Sequence, residues 1–258
     1  MNRFISACIV AAMTVCQYAQ ASETTDDNIV TVISYNVHNG IGLDNKSDYD
    51  RIGRTISRHN PDIVAIQEVD SATMRSNGSY VLAEIGRATG LCPTFAPAID
   101  FQGGKYGIGI LSRHEPLSVR RIPLPGREEA RVLLIAEFPR YTVGCTHLSL
   151  TEADAMTAAQ IILRETSDTA KPLIIAGDFN LQPDSEPMEL LRSRFSSVLP
   201  ADMPTFPADK PSITIDYIMT DNRSGLTIEE QPYVADADEL ASDHRPIVAR
   251  LRLPSAGQ

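Results

Sequence analysis

The sequence predicts an α/β fold, a four-layer α/β/β/α sandwich of two packed mixed β-sheets flanked by helices. Three observations carry this expectation. Short aliphatic runs recur along the chain and stop abruptly at a polar residue, as buried strands do at their exposed ends. Between several of them lie stretches with apolar residues three and four apart, the spacing of helices. The total of about ten candidate strands and about four helices is too rich in strands for one parallel sheet wrapped by helices, and no Gly-x-Gly-x-x-Gly opens a helix.

At 258 residues, 43% of them hydrophobic, the chain suits one large domain. Residues 1–21 stand apart: Arg3 gives a basic start, Phe4 to Val15 is apolar, and Ala19-Gln20-Ala21 has the small-x-small form of a cleavage site. They read as a secretory signal cut after Ala21, leaving residues 22–258 as the mature domain of a secreted or periplasmic protein. The apolar run is shorter than the roughly 20 residues that cross a bilayer, so no transmembrane segment is expected in the mature chain. A lipoprotein cut before Cys16 is the alternative, disfavoured by the bulk of Val15 where such signals carry a small residue.

The protein is acidic, with 23 Lys and Arg against 33 Asp and Glu and a net charge of −10. Loss of the signal removes one cation, Arg3, so 22 against 33 leaves −11. A surface of that sign repels polyanions, and strong nucleic-acid binding is not expected. Clustered carboxylates can still hold a divalent metal. Cys92 and Cys145 follow the signal; an oxidising compartment permits a disulfide, while two small buried hydrophobes is the plainer reading.

Ile29 to Asn36 is rich in β-branched residues and reads as a buried strand delivering Asn36 at its end. Tyr49 to His59 has helical spacing and stops before Pro61; Asp62 to Glu68 is again an aliphatic strand running into an acid. Gly78 to Thr89 reads as a helix, with Gly90 at its stop. The glycine-rich Gly103 to Arg113 approaches and forms a strand. It lacks the Gly-Lys-Ser/Thr run of a nucleotide-binding loop, and Tyr106 on it is placed to touch a bound phosphate from a cleft edge. Pro116 to Pro125 and Ala130 to Phe138 look like further strands. Arg131 on the second reads first as a salt-bridged structural residue and second as a phosphate clamp.

Tyr141 to Ser149 is a strand ending around His147, followed by a helix from Thr151, a candidate N-cap, to Thr166. Leu173 to Ala176 is a buried strand that Gly177 breaks so that Asp178 and Asn180 emerge; if strand geometry persists, both side chains share one face. Ser185 to Arg192 begins like a helix. Ile213 to Met219 alternates strictly, which puts Asp216 inside a strand, where an acid is costly without a partner. His244, just before the last strand (Ile247 to Leu251), is the natural partner.

Singly, each polar strand end has an ordinary explanation, such as a turn cap. Together Ser34-Tyr35-Asn36, Ile66-Gln67-Glu68, Gly107 to Arg113, Thr146-His147-Leu148, Gly177-Asp178-Phe179-Asn180, Ile215-Asp216-Tyr217 and Ser242-Asp243-His244-Arg245-Pro246 form an ordered series. In that order they resemble the endonuclease/exonuclease/phosphatase superfamily and its deoxyribonuclease I-like fold, over residues 29–253.

The resemblance implies a metal-dependent hydrolase of phosphoric esters, with Mg2+ (or Mn2+ or Ca2+) held by Glu68 with Asn36 and Asp243. A hard cation suits such oxygen ligands, and no Cys/His cluster suggests zinc. Asp178 would orient and deprotonate the attacking water, and Asn180 would donate to a phosphate oxygen. His244, held by Asp216, and His147 would flank the phosphate as protonated groups. Whether Asp178 or His244 is the base stays open. Tyr106 and Arg131 are the candidate substrate contacts. Many relatives carry an Asn at the position aligned with Gly109, so one phosphate contact is expected to be missing. The acidic charge and the lack of a long basic or aromatic insertion favour a small or lipid-linked phosphate ester over an extracellular nuclease, and the retained metal and acid–base positions favour an enzyme over a silent binding module on the same fold; a monomer is expected.

Overall fold

The computed structural model describes residues 28–235 and 241–255, so the expected signal over residues 1–21 lies outside the described residues. The chain runs β1 (Ile29–Asn36), a 3-10 turn (His38–Gly40), α1 (Tyr49–Ser57), β2 (Ile63–Ser71), α2 (Val81–Thr89), β3 (Cys92–Phe101) and β4 (Gly104–Ser112). β5 (Ser118–Leu124), β6 (Arg131–Glu137), β7 (Thr142–His147), α3 (Glu152–Glu165), β8 (Leu173–Asp178) and α4 (Glu186–Arg192) follow. β9 (Phe195–Ser197), β10 (Asp216–Asp221), β11 (Thr227–Val234) and β12 (Ile247–Arg252) complete it.

The strands form two six-stranded mixed sheets, ordered β11-β12-β1-β2-β4-β3 and β5-β6-β7-β8-β10-β9. β1 lies parallel to β2 and antiparallel to β12, while β8 lies parallel to β7 and antiparallel to β10. The central core draws Val32, Ala65 and Ile110 from the first sheet and Leu134, Cys145 and Ile174 from the second. A second cluster seats Ala155, Ala158 and Ile162 of α3 and Met188 of α4 on the outside of the second sheet. A third seats Ile52 and Ile56 of α1 and Val81, Leu82 and Ile85 of α2 on the outside of the first. Alternation along each strand explains the layering, since successive side chains of a central strand serve the core and the helix face in turn. The sandwich is the four-layer α/β/β/α arrangement expected.

Several local expectations change. β8 ends at Asp178, so Asn180 lies beyond the strand with a left-handed φ of 52°. β10 begins at Asp216, which therefore sits at a strand end and not in mid-strand. β2 continues to Ser71, past Glu68, whose φ of 59° marks a bulge between the Ile66 and Val69 pairings with β4. Thr151 precedes α3 but its side chain makes no capping bond; Glu152 and Asp154 do occupy the first turn, where acids favour the helix dipole. Cys92 and Cys145 are not joined by a disulfide. Strands β3, β9 and β11 are additions to the sequence reading.

Candidate functional site

The site begins with strand register. On the second sheet His147 pairs with Asp178 across β7 and β8, and Asp216 pairs with Asp178 across β10 and β8. Three strand ends thus deliver an imidazole and two carboxylates side by side. Gly177 is required immediately before Asp178 because a Cβ there would overlap the carbonyl oxygen of Thr146 on β7. The strands approach so closely at this point that only glycine fits.

Asp178 is 1% exposed. Its Oδ1 accepts the backbone N–H of Asn180 at 2.9 Å, a short turn that closes the strand. Its Oδ2 accepts Asn36 Nδ2–H at 3.0 Å and lies 3.5 Å from His147 Nε2 and 3.7 Å from His244 Nε2. Asn36 arrives from β1 of the other sheet, and the same Nδ2 donates to Glu68 Oε1 at 3.0 Å. Its Oδ1 accepts the N–H of His38 at 3.1 Å. One carboxamide therefore joins the bulge acid of the first sheet to the strand-end acid of the second.

His244 Nδ1 is 2.9 Å from Asp216 Oδ2, which also accepts the Thr205 hydroxyl at 2.5 Å. The Phe206 ring lies 4.7 Å, centroid to centroid, from the imidazole. Burial alone would lower the His244 pKa, but Asp216 beside it, then Asp178 and Asp243, raise it to about 10. Asp178 is raised above the carboxylate range by burial and then by the Asp216 charge, against the opposing effect of His244. His147 is held well below the ordinary imidazole value by burial and then by Arg131. The two imidazoles are thus pulled in opposite directions, His244 towards the protonated form and His147 away from it, where sequence reasoning expected both to be protonated.

Arg131 is 6% exposed and held by both terminal nitrogens: Nη1 contacts Glu129 Oε1 at 2.6 Å and His147 Nδ1 at 3.2 Å, and Nη2 contacts Glu128 Oε1 at 3.2 Å, while Nε is buried without a partner among the described residues. Tyr106 is buried on β4, and its pKa is raised by burial and by the charges of Glu68 and Glu129. Its ring shares with Phe101 the guanidinium of Arg75, 5.1 Å and 4.6 Å from the respective centroids. Asn180 spends one amide hydrogen on the Leu148 carbonyl at 3.0 Å. Asp243 is partly exposed, with Oδ1 4.0 Å from His38 Nδ1. Gly109 does not face this site: a Cβ there would run into Leu82 of α2, on the helix side of the sheet. The missing-contact expectation at Gly109 is therefore withdrawn.

Thr205, Glu128, Glu129 and Arg75 were not singled out as site residues from the sequence. Thr205 lies in a Pro-punctuated loop, eleven positions before Asp216 with no periodic signal between them. The acids beside Arg131 lie in the irregular loop before β6, where no periodic signal shows that both converge on one guanidinium.

Glu68, Asn36 and Asp243 offer oxygen donors of the kind a hard divalent ion prefers, and Cys145, the one buried thiol among the described residues, is occupied with Gln67 and Ile66 between the sheets. The donor set fits such an ion. Ligand atoms of Asp178, Asp216 and His244 also lie within 4.8 Å of one another, though His244 Nδ1 and Asp216 Oδ2 already share a hydrogen bond.

Carboxylates, imidazoles and a carboxamide from both sheets thus meet at one seam, an arrangement suited to acid–base chemistry. The chain belongs to the Endonuclease/Exonuclease/phosphatase family, whose profile matches residues 33–244. Members are phosphoester hydrolases and are generally dependent on a divalent metal. Solved structures share the fold. The Bacteroides thetaiotaomicron mannosyl-6-phosphatase has a TM-score of 0.70 at 17% identity, covering 86% of this chain and 99% of its own. Humanized D. rerio TDP2 has a TM-score of 0.69 at 22% identity, covering 87% and 99%. The human Nocturnin catalytic domain, with bound sulfate, has a TM-score of 0.66 at 20% identity, covering 88% and 95%. No curated protein sequence matches the chain. No helix among the described residues is long and apolar enough to cross a membrane.

Proposed function

We propose that this protein is an exported Mg2+-dependent hydrolase of phosphoric esters that works by in-line attack of water, on a small or lipid-linked substrate. The observation that carries the reading is the Asn36 amide, which bonds Glu68 and Asp178 at 3.0 Å each and so sets the cation corner beside the water-activating acid. Glu68, Asn36 and Asp243 would hold the ion, which when bound neutralises charge on the phosphate oxygens and lowers the pKa of water. Asp178, made more basic by burial and by Asp216, takes the proton of the attacking water. We assign the base role to Asp178, because the Asp216 carboxylate 2.9 Å from His244 favours the imidazolium form, which donates and does not accept. The imidazolium of His244 and the free amide hydrogen of Asn180 donate to non-bridging phosphate oxygens, where negative charge grows. Tyr106, buried on β4 with its ring against Arg75, contacts the substrate from the Glu68 side.

Export rests on the pattern of residues 1–21, and the preference for small or lipid-linked esters on the charge of −11 that follows their removal. The likeness to a phosphatase of a small sugar phosphate is consistent with that preference. The test is one assay panel with Mg2+ or EDTA, comparing p-nitrophenyl phosphate, bis-p-nitrophenyl phosphate, sphingomyelin and plasmid DNA. Hydrolysis of one of the first three, abolished by EDTA, is expected. Turnover of DNA alone would replace the substrate reading by a nuclease.

A further inference from the structure

Arg131 and His147 stand in a relation whose chemistry has only one solution. An arginine carries hydrogen-bond donors and no acceptor, so the nitrogen 3.2 Å from its Nη1, His147 Nδ1, must be the acceptor. The remaining imidazole hydrogen is then on Nε2, the nitrogen that faces Asp178 Oδ2 at 3.5 Å. The guanidinium cannot turn away, because Glu129 and Glu128 hold it by Nη1 and Nη2 and Glu128 is itself fixed by the Ser149 hydroxyl and the Leu150 N–H, at 2.9 and 2.8 Å.

We propose that Arg131 is a positioning residue, which with Glu128 and Glu129 locks His147 as a neutral Nε2–H donor aimed at Asp178 and at the oxygen bound beside it. This deepens the hydrolase reading by separating the two histidines: His244 supplies charge and His147 supplies a directed hydrogen. It also removes Arg131 from the set of groups that grip substrate directly, because Nη1 and Nη2 are already engaged within a 6% exposed side chain. The tautomer follows from donor chemistry and distance and does not depend on what the protein hydrolyses. The charged or titratable groups around His147 are Arg131 on β6, Glu128 and Glu129 in the loop before it, Asp178 on β8, and His244 in the loop before β12.

The experiment is long-range proton–nitrogen NMR on the nitrogen-labelled protein without metal or substrate, reading His147 between about pH 5 and 8. A bare Nδ1 and a protonated Nε2 throughout is expected. An imidazolium signature, or a proton on Nδ1, would overturn the lock even if every ester assay succeeds. Conversely, the lock stands if the tautomer is found and no ester is cleaved, so the two readings fail separately. Arg131→Met should release His147 to titrate or change tautomer, while Arg131→Lys, which keeps a donor, should restore the Nε2–H form. In the hydrolysis assay Arg131→Met should lower kcat by up to about 100-fold with KM little changed, as a misaligned group does. A rise in KM at unchanged kcat would instead make Arg131 a substrate clamp.

Discussion

Asp178 and Asp216 are direct register partners across β8 and β10, each 1% exposed, so two carboxylates face one another inside the protein. Like charges opposed in this way destabilise a sheet unless a cation intervenes. His244 lies between them, bonding Asp216 at 2.9 Å and standing 3.7 Å from Asp178, and the two carboxylates favour its imidazolium form.

Replacing Asp216 with Asn should therefore uncouple the imidazolium. His244 ionises with a pKa raised to about 10, so the alkaline limb of wild-type activity is expected near that pH. In Asp216→Asn it should move down toward the ordinary imidazole value of about 6.5. Because the folded-state pKa is the higher one, the stability His244 gains from its carboxylates is fully present below about pH 6.5 and is lost as pH rises through about 10. Urea midpoints across that window should decline more steeply in the wild type than in the variant; parallel curves would count against the pairing.

Glu68→Gln tests the cation corner. Calorimetric titration with Mg2+ should give heat with the wild type and none with the variant, and hydrolysis should disappear together with the heat. The circular dichroism spectrum should not change, since Glu68 lies at a bulge and not in the core. Full activity in EDTA would refute the metal reading outright.

Asp178→Ala and His244→Ala should each reduce turnover at least about 100-fold, the lower range for removal of an acid–base group. Stopped assays on p-nitrophenyl esters are sufficient to see it. Wild-type rates in both would place the chemistry elsewhere.

Gly177→Ala is a packing test with a catalytic readout. The added methyl meets the Thr146 carbonyl, forcing β7 and β8 apart at the step where His147 pairs with Asp178. A loss of about 1–3 kcal/mol in urea unfolding is expected, the usual range for overpacking, with a parallel fall in kcat. Stability equal to the wild type would mean that the strands are less closely apposed.

How far the sequence could be read depends on where each strand lies. The central strands β1, β2, β7 and β8 announce themselves as aliphatic runs because both their faces are covered. Strands β3, β9 and β11 do not, and all three are sheet edges. β3 contains Pro93 and Pro97, which an edge tolerates and a central strand does not; β11 carries Glu229, Glu230 and Pro232; β9 is three residues long. At the site, residue types and order were legible, but not register. The spacing of Asp178 and Asn180 suggested a shared strand face, whereas a turn separates them and the Asp178 side chain caps that turn. The lowered pKa of His147 was hidden because it arises from burial and then from Arg131, sixteen positions earlier, and no local pattern records either.

The Asn36 bridge between the sheets has a consequence for the timing of activity. β1 is hydrogen-bonded on one side to β2 and on the other to β12, the last strand, while His244 precedes β12 by only two residues. A chain growing from its N-terminus can form β1 and β2 early, but its first strand lacks a neighbour and its acid–base pair lacks a histidine until residues near 252 have emerged. The constellation is thus complete only when residues 244–252 are in place, and a chain clipped before His244 would leave Asp216 without its imidazole partner however well the earlier strands had folded.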